Sequence, residues 1–413
     1  MITKEQRKIQ LSKYSMCRAG SLQPTPIELV NEMISKFDEL LFQNPDSKFL
    51  DPTSGTGSFL IALYRKLIKY HSHEHIINNM IYGNDISPTS EKFGINLGFV
   101  NITKADFKKF GKDLNKLKKI KFAGIVMNPS YSHGSHMNHF NNAFELLKEG
   151  GTIVCIHPAT PFITRKPLNF KGRVKKIQSI INTYETELKI INGNSFFNVQ
   201  QEIPLSITTV IKRENKNINV IYSHYNTDDS IQYNSLDNVF IHGNDIVLSI
   251  RDKIFEKMNQ SLEDYTYRNG ATGGNVYLRV NTIATGIPNN GAPHPNFNTF
   301  LGKMHEHDIS SRITQTPIGK NKKGTPYNEI SFKNEKELEN GKSYLLTKFA
   351  RFCLSLFKVN QHLESGELKA VPYLDFSKKW SDRKLKKYFK LSNSEWDFIN
   401  EYIPDRYDSD LKN

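Results

Sequence analysis

Residues 48–70 constrain the fold more than any other part of the chain. Their sequence, KFLDPTSGTGSFLIALYRKLIKY, runs from a short apolar stretch through a glycine-rich turn into an amphipathic helix, an order that predicts a strand-loop-helix unit. Glycines let a ligand approach the backbone closely, and the start of the helix offers unpaired N-H groups. The turn lacks the Walker lysine, and Leu60 stands where a GxGxxG pattern needs its third glycine, which disfavours an NTPase or a dehydrogenase.

The same alternation of strands and helices continues along the chain. Further strands are predicted to end at Asp85, near Asp106 and at Asn128, followed by a helix over 140–147 and a strand over 151–157. Strands that alternate with helices predict a mostly parallel sheet covered on both faces, which is a doubly wound α/β fold. Residues 23–42 have the apolar period of one helix, and residues 201–213 look like a late antiparallel strand pair.

Domain boundaries follow from changes in sequence texture. We expect a first domain over 1–213, a connecting segment over 214–260 and a mixed α+β region with C-terminal helices over 261–413. Residues 269–324 are rich in Gly, Asn, Pro and His and lack helical periodicity, which is typical of long functional loops.

The charge balance indicates a polyanionic partner. The chain has 56 Lys+Arg against 42 Asp+Glu, a net charge of +14, and each neutralised phosphate releases counterions; the alternative is a basic protein whose charge serves only solubility. The cysteines at 17, 155 and 353 are too far apart for a disulfide framework or a cysteine zinc site, and no apolar run could span a membrane or direct export. We therefore expect a cytoplasmic protein. The histidines at 71, 73 and 75 lack a second group of ligands, so no metal is expected.

Two further positions suggest chemistry. Asp85 is placed to accept hydrogen bonds from ribose hydroxyls, and its alternative role is to cap the helix that follows. In Asn128-Pro129-Ser130-Tyr131, an amide oxygen and a following carbonyl can accept from an exocyclic NH2 group while the ring stacks on its carrier. The alternative is an ordinary Asn-Pro turn after a strand.

In their order and spacing, these segments resemble the S-adenosylmethionine-dependent N6-adenine DNA methyltransferases of the gamma arrangement, in which cofactor motifs precede the catalytic motif and the recognition domain. The resemblance covers most of the first 213 residues. The family loop D-P-x-x-G-T-G-x-F matches Asp51, Pro52, Gly55, Thr56, Gly57 and Phe59. It implies that Thr25 and Pro26 contact the methionine end of the cofactor, that Asp85 follows the second strand as the family acid does, and that Asp106 contacts the cofactor adenine.

The catalytic tetrad N-P-P-[YFW] of that family matches Asn128, Pro129 and Tyr131 and departs at Ser130. A family aromatic that faces the extruded base from its other side corresponds to Phe197, with Phe196 as an equal candidate. The implied reaction is methyl transfer from S-adenosylmethionine to N6 of an adenine flipped out of a specific duplex DNA sequence. A methyltransferase acting on RNA adenine or protein glutamine, and a catalytically weakened DNA-binding relative, remain as alternatives.

The resemblance also implies partners. Double-stranded DNA would be the substrate, and a separate cognate restriction endonuclease would complete a restriction-modification system; the sequence from 371 to 404 looks like the ending of some modification subunits. The basic residues of the long loop region are predicted to contact DNA, with arginines favouring base edges and lysines phosphates. They are Arg268, Arg279, Arg312, Lys320, Lys322 and Lys323.

Overall fold

The chain forms two compact units in a computed structural model. The N-terminal unit comprises Met1–Phe162, Pro167–Asn198 and Leu205–Asn238, and the C-terminal unit comprises Ile163–Lys166, Val199–Pro204 and Val239–Asn413. The structure describes residues 25–163, 172–193, 196–197, 204–223, 229–236, 239, 245–268, 276–281, 309–312, 327–357 and 365–403.

A nine-stranded sheet with the order β3-β2-β1-β4-β5-β7-β6-β8-β9 organises the N-terminal unit. Strands β1 to β5 form a parallel half, whereas β7 pairs antiparallel with β5 and β9 antiparallel with β8. The strands are β1 (Phe49–Asp51), β2 (Ile81–Asp85), β3 (Ile102–Lys104), β4 (Phe122–Met127), β5 (Leu147–Pro158), β6 (Tyr184–Asn192), β7 (Pro204–Glu214), β8 (Ile218–Tyr222) and β9 (Asp229–Tyr233).

Helices separate the parallel strands, as βαβ connections require. They are α1 (Ile27–Ser35), α2 (Glu39–Gln43), α3 (Ser58–Leu67), α4 (His73–His75), α5 (Pro88–Asn96), α6 (Asn115–Lys118), α7 (Ser135–Leu146), α8 (Thr160–Ile163) and α9 (Arg173–Thr183). Strands β1 and β4 are buried along their whole length. Gly124 lets this strand pass beside Phe49, because a Cβ there would lie 2.6 Å from the Phe49 ring.

The predicted doubly wound α/β fold is confirmed, with two differences in detail. The helix expected over residues 23–42 is broken into α1 and α2, because the Asp38 side chain accepts the N-H of Leu40 at 2.9 Å and starts a new helix. Residues 201–213 were expected to hold a strand pair, but the described part of this segment, residues 204–213, lies in the single long strand β7, which is antiparallel to β5.

The sheet also continues past the domain end expected at residue 213. Strands β8 and β9 lie in the segment expected to be a connector, yet β8 pairs with β6 and extends the same sheet. Ile218 and Val220 bury their side chains completely, which explains why this segment belongs to the N-terminal unit.

The C-terminal unit contains a four-stranded antiparallel sheet of order β10-β13-β11-β12 and a set of helices. Ile330 and Phe332 of one sheet face are buried in its core. The elements are α10 (Asp245–Lys257), β10 (Thr266–Arg268), β11 (Val276–Asn281), β12 (Ile309–Arg312), β13 (Tyr327–Phe332), α11 (Glu335–Leu345), α12 (Lys348–Ser355), α13 (Asp382–Tyr388) and α14 (Asn393–Tyr402).

Candidate active site

The turn between β1 and α3 is shaped by two glycines with positive φ. Gly55 has φ +47° and Gly57 has φ +80°, conformations that side chains rarely tolerate. The Gly57 N-H donates to the Ser54 carbonyl at 2.7 Å, which closes the turn directly before the helix starts. The turn therefore holds the shape that the sequence predicted for close approach of a ligand.

Asn84 fastens the ends of three strands together. Its side-chain amide donates to the carbonyls of Pro52, at 3.0 Å, and Ala105, at 3.1 Å, while the backbone carbonyl of Asn84 accepts the Ser54 N-H at 2.8 Å. Because the side chain is almost completely buried, these bonds form away from competing water. The sequence analysis did not identify this residue, since its role depends on contacts between segments that are distant in sequence.

Asp85 is held against the glycine turn. One carboxylate oxygen accepts the Gly55 N-H at 2.9 Å, and the other accepts the Ser87 N-H at 2.8 Å. The second bond closes a local turn before α5, which fits the alternative role of Asp85 as a cap of that helix. Each carboxylate oxygen keeps a second acceptor direction, so the side chain retains capacity for a ligand beside Gly55.

Asp51 has an unsatisfied oxygen in the same place. The carboxylate is 1 % exposed, and Oδ1 accepts the Thr53 N-H at 3.0 Å. Among the described residues, Oδ2 has no hydrogen-bond partner. Burial, with the nearby charge of Asp85 adding to it, raises the pKa of Asp51 well above its ordinary value. A buried acceptor of this kind suits a positively charged donor from a ligand.

Two residues complete the edge of the parallel half. Asp106 is half-buried just past β3, where one of its oxygens accepts the Lys108 N-H at 3.1 Å. Ile86 follows Asp85 and is 63 % exposed, so it offers an apolar surface beside the polar groups. Its signal in the sequence is only that an apolar residue continues past the end of a strand, and the sequence analysis did not single it out.

The turn after β4 brings Thr25 and Tyr131 onto Asn128. The amide nitrogen of Asn128 donates to the Thr25 hydroxyl at 3.1 Å, and the Tyr131 hydroxyl donates to Asn128 Oδ1 at 3.0 Å. Pro26 starts α1, where its carbonyl accepts the Val30 N-H. These two hydrogen bonds fix the plane and the orientation of the amide.

Ser130 is tied into this turn by hydroxyl contacts. Its hydroxyl accepts the Ser132 N-H at 3.4 Å, and the Ser135 hydroxyl donates to its carbonyl at 2.6 Å. The turn is therefore closed without the second proline of the tetrad.

A family comparison agrees with this geometry. The model of the N-6 DNA Methylase family matches residues 13–154, about a third of the chain, a span that includes the turns at Gly55 and Asn128. Residues 13–154 are thus similar to the N-6 DNA methylase family. No curated protein matches the sequence.

Solved structures similar to the chain include restriction-modification proteins. The M protein of the type I restriction enzyme EcoKI is 15 % identical with a TM-score of 0.38, covering 48 % of this chain and 47 % of that one. A type I methyltransferase subunit from Streptococcus thermophilus is 18 % identical with a TM-score of 0.36, and the match covers 48 % of this chain and 47 % of that one. The type IIG restriction endonuclease BpuSI is 14 % identical with a TM-score of 0.40, and the match covers 96 % of this chain and 62 % of that one. The chain thus spans about half the length of the first two proteins.

A pair of buried histidines packs beside the Asn128 turn. His136 stacks on His157 with ring centroids 5.4 Å apart and meets the Tyr131 ring edge-on at 6.0 Å. Neither imidazole has a hydrogen-bond partner among the described residues. Burial lowers the pKa of His136 to about 4, and it lowers the pKa of His157 well below its usual value. The His136 side chain is 5 % exposed.

Three other predicted residues of the N-terminal unit are not bonded to the two turns in the described contacts. Phe59 is buried in α3, where it supports the glycine turn from within the core. Phe196 and Phe197 are half-buried in a turn after β6, and both backbone N-H groups donate to Gly193. The described contacts do not choose between the two phenylalanines.

The predicted DNA contacts lie in the C-terminal unit. Arg279 and Arg312 share a face of the four-stranded sheet, since Tyr277 pairs with Arg312 two positions from Arg279. Arg268 lies on the opposite face, because it pairs with Asn328, two positions from Ile330. Lys320, Lys322 and Lys323 lie outside the described residues. In the described part of the chain, no helix has the length and apolar character to cross a membrane.

Proposed function

We propose that the protein transfers a methyl group from S-adenosylmethionine to the N6 amino group of an adenine in duplex DNA. The observation that carries this proposal is the placement of two different turns at one edge of the parallel strands. The Asn128 turn suits a planar amino group, and the Gly55 turn with Asp85 suits a nucleoside-containing cofactor.

The residues of the glycine turn fit the cofactor. The unpartnered Oδ2 of Asp51 would accept from an ammonium group, the remaining acceptor directions of Asp85 would take ribose hydroxyls, and Ile86 would cover one face of the adenine. Asp106 would accept from the adenine amino group. When bound, S-adenosylmethionine supplies an electrophilic methyl group.

Asn128 would orient the amino group that receives the methyl. Its Oδ1 already accepts the Tyr131 hydroxyl and has a second lone pair for an N-H of the base. The Pro129 carbonyl would accept the other N-H, and the Tyr131 ring would stack on the base. Adenine must leave the duplex to reach this position. The nitrogen loses its proton to water after it has been methylated, so the rate enhancement comes from orientation and electrostatics.

A methyl-transfer assay tests the proposal directly. The protein is incubated with radiolabelled S-adenosylmethionine and with unmethylated DNA, RNA or total protein, and the labelled product is identified by digestion and mass spectrometry. We expect label on N6 of adenine in DNA and none after Asn128→Ala, whereas Asn78→Ala, which changes an exposed asparagine outside the site, should retain activity. Label confined to RNA or glutamine would contradict the DNA assignment.

The sheet face that carries Arg279 and Arg312 is our candidate for reading the DNA sequence. An arginine in a groove discriminates between bases through paired hydrogen bonds to guanine. We expect Arg279→Ala or Arg312→Ala to relax the sequence preference of methylation. Arg268→Ala is the comparison variant, because the register places Arg268 on the opposite face of the sheet. Sequencing of methylated plasmid DNA measures both outcomes.

A further inference from the structure

The segment from Lys104 to Lys121, between β3 and β4, concentrates positive charge. It holds eight lysines and two aspartates, a surplus of six charges in a chain whose net charge is +14. Two of these lysines bind backbone: Lys118 donates to the Phe110 carbonyl and Lys121 to that of Glu145. The others form what we call the lysine platform, which consists of Lys104, Lys108, Lys109, Lys112, Lys116 and Lys119.

The lysine platform has a fixed backbone. Leu114 and Leu117 are buried beneath it. The side chain of Asn142, on α7, donates to the carbonyls of Phe107 at 2.9 Å and Lys108 at 3.2 Å. These contacts distinguish the segment from a charged tail, because they hold its backbone in one conformation in the absence of a partner.

Helical spacing presents several of these lysines together. Lys112, Lys116 and Lys119 recur at intervals of four and three over the helical stretch that includes α6, so they lie on one face. The buried leucines Leu114 and Leu117 lie on the other face. All six platform lysines are exposed.

Five of the six platform lysines have no acidic partner among the described residues, whereas some lysines elsewhere are paired. Lys36 pairs with Glu187, and Lys189 pairs with Glu32. Within the described residues, the one ion pair of the platform joins Lys109 to Asp106 at 3.7 Å. An ordered surface with uncompensated charge attracts a polyanion.

We propose that the lysine platform binds the phosphates of duplex DNA beside the target adenine. The proposal rests on the proposed function and extends it, because it places non-specific DNA binding in the N-terminal unit as well as in the predicted reader. The platform begins next to Asp106, where β3 ends. A duplex held there would bring its flanking phosphates close to the candidate site.

The test compares two variants with the same change of net charge. In the first, Lys108, Lys112, Lys116 and Lys119 become Gln; in the control, the exposed lysines Lys69, Lys216, Lys333 and Lys336 become Gln. Binding of a short random duplex is measured by fluorescence anisotropy between about 50 and 200 mM salt. We expect the first variant to lower the slope of log K against log salt by about 3 to 4 and to weaken binding at low salt by about tenfold or more, with the control close to native.

Equal slopes of log K against log salt for the two variants would contradict the proposal that the lysine platform binds duplex DNA. The same binding measurement with single-stranded RNA is made in parallel, and a loss confined to RNA would contradict the proposal too. Methyl transfer is followed on the same samples to separate this result from the proposed function. If native protein methylates DNA and the two variants have equal slopes, the result contradicts the DNA-binding role of the lysine platform alone. Native protein that shows the platform effect on duplex binding but never transfers a methyl group supports the platform and contradicts the proposed function.

Discussion

Among single residues, Asp51 combines a cost in stability with the cofactor-binding role that we propose for it. The folded chain holds the proton of this buried carboxyl more tightly than the unfolded chain, since its pKa is raised. Folding therefore takes up a proton, and the free energy of unfolding falls as the pH rises above the ordinary aspartate range. Ionisation of the buried acid therefore destabilises the ligand-free protein, and the same carboxylate is the acceptor that we propose for the cofactor ammonium group.

We expect Asp51→Asn to stabilise the empty protein and to weaken cofactor binding. Asparagine removes the ionisation but keeps an acceptor for the Thr53 N-H, so the gain at neutral pH should be about 1 kcal/mol. Urea unfolding at pH 5 and pH 8 measures the gain and its pH dependence, and calorimetry measures the affinity for S-adenosylmethionine. A variant that is less stable at both pH values yet binds normally would show that Asp51 is only structural.

Ser130 should weaken catalysis without abolishing it. A second proline would stiffen the turn, and the loss of that stiffness costs on the order of 1 kcal/mol, about fivefold in rate. The hydroxyl contacts to Ser132 and from Ser135 offset part of this cost. Single-turnover methylation should therefore put native protein within about fivefold of Ser130→Pro, with Asn128→Ala at the background rate. Native protein as inactive as Asn128→Ala, beside an active Ser130→Pro, would identify a decayed catalytic turn.

At the scale of elements, the stacked histidines join α7 to β5 and predict a loss of stability in acid. His136 binds a proton less readily in the folded chain, mainly because it is buried, and the charges of His139 and Arg173 add to this effect while the Tyr131 backbone opposes it. Stability is complete above the ordinary histidine pKa near 6.5 and is lost as the pH falls toward about 4.

His136→Phe should therefore lose less stability than native protein between pH 7.5 and pH 5. Since one pKa unit corresponds to 1.36 kcal/mol, the difference at pH 5 should be about 2 kcal/mol. Urea denaturation at the two pH values measures it. Asn138→Ala, on the same helix and only partly buried, is the control, and parallel pH curves for native protein and His136→Phe would contradict the proton linkage.

Local pattern was enough to predict the strands of the parallel half and the glycine turn. The run around Phe49 and the glycines at 55 and 57 each carry their signal within a few residues. The bonds of Asn84 and the stack of His136 on His157 could not be predicted this way, because each joins segments that meet only in the folded sheet. The break after α1 depended on one aspartate side chain that outweighed an apolar period.

For the whole molecule, the extended sheet predicts where the N-terminal unit can be cut. A fragment ending at Asn238 retains β8 and β9, whereas one ending at Arg213 exposes the edge of β6 and loses the buried Ile218 and Val220. Each of these side chains contributes roughly 1.5 to 3 kcal/mol. We expect the longer fragment to melt cooperatively and the shorter one to aggregate, as followed by circular dichroism and gel filtration. Equal melting of the two would contradict this boundary.

The position of β7 between β5 and β6 has a consequence for how the chain folds during synthesis. Both neighbours leave the ribosome earlier than β7, and neither can complete its ladder of hydrogen bonds until β7 arrives. The Tyr131 hydroxyl, which donates to Asn128, also lies 3.4 Å from the Ile156 carbonyl of β5, so the Asn128 turn packs against a strand whose outer edge is unpaired until β7 has been made. Nascent chains must keep that edge from pairing with other strands, and the candidate active site is complete only when translation has passed residue 214.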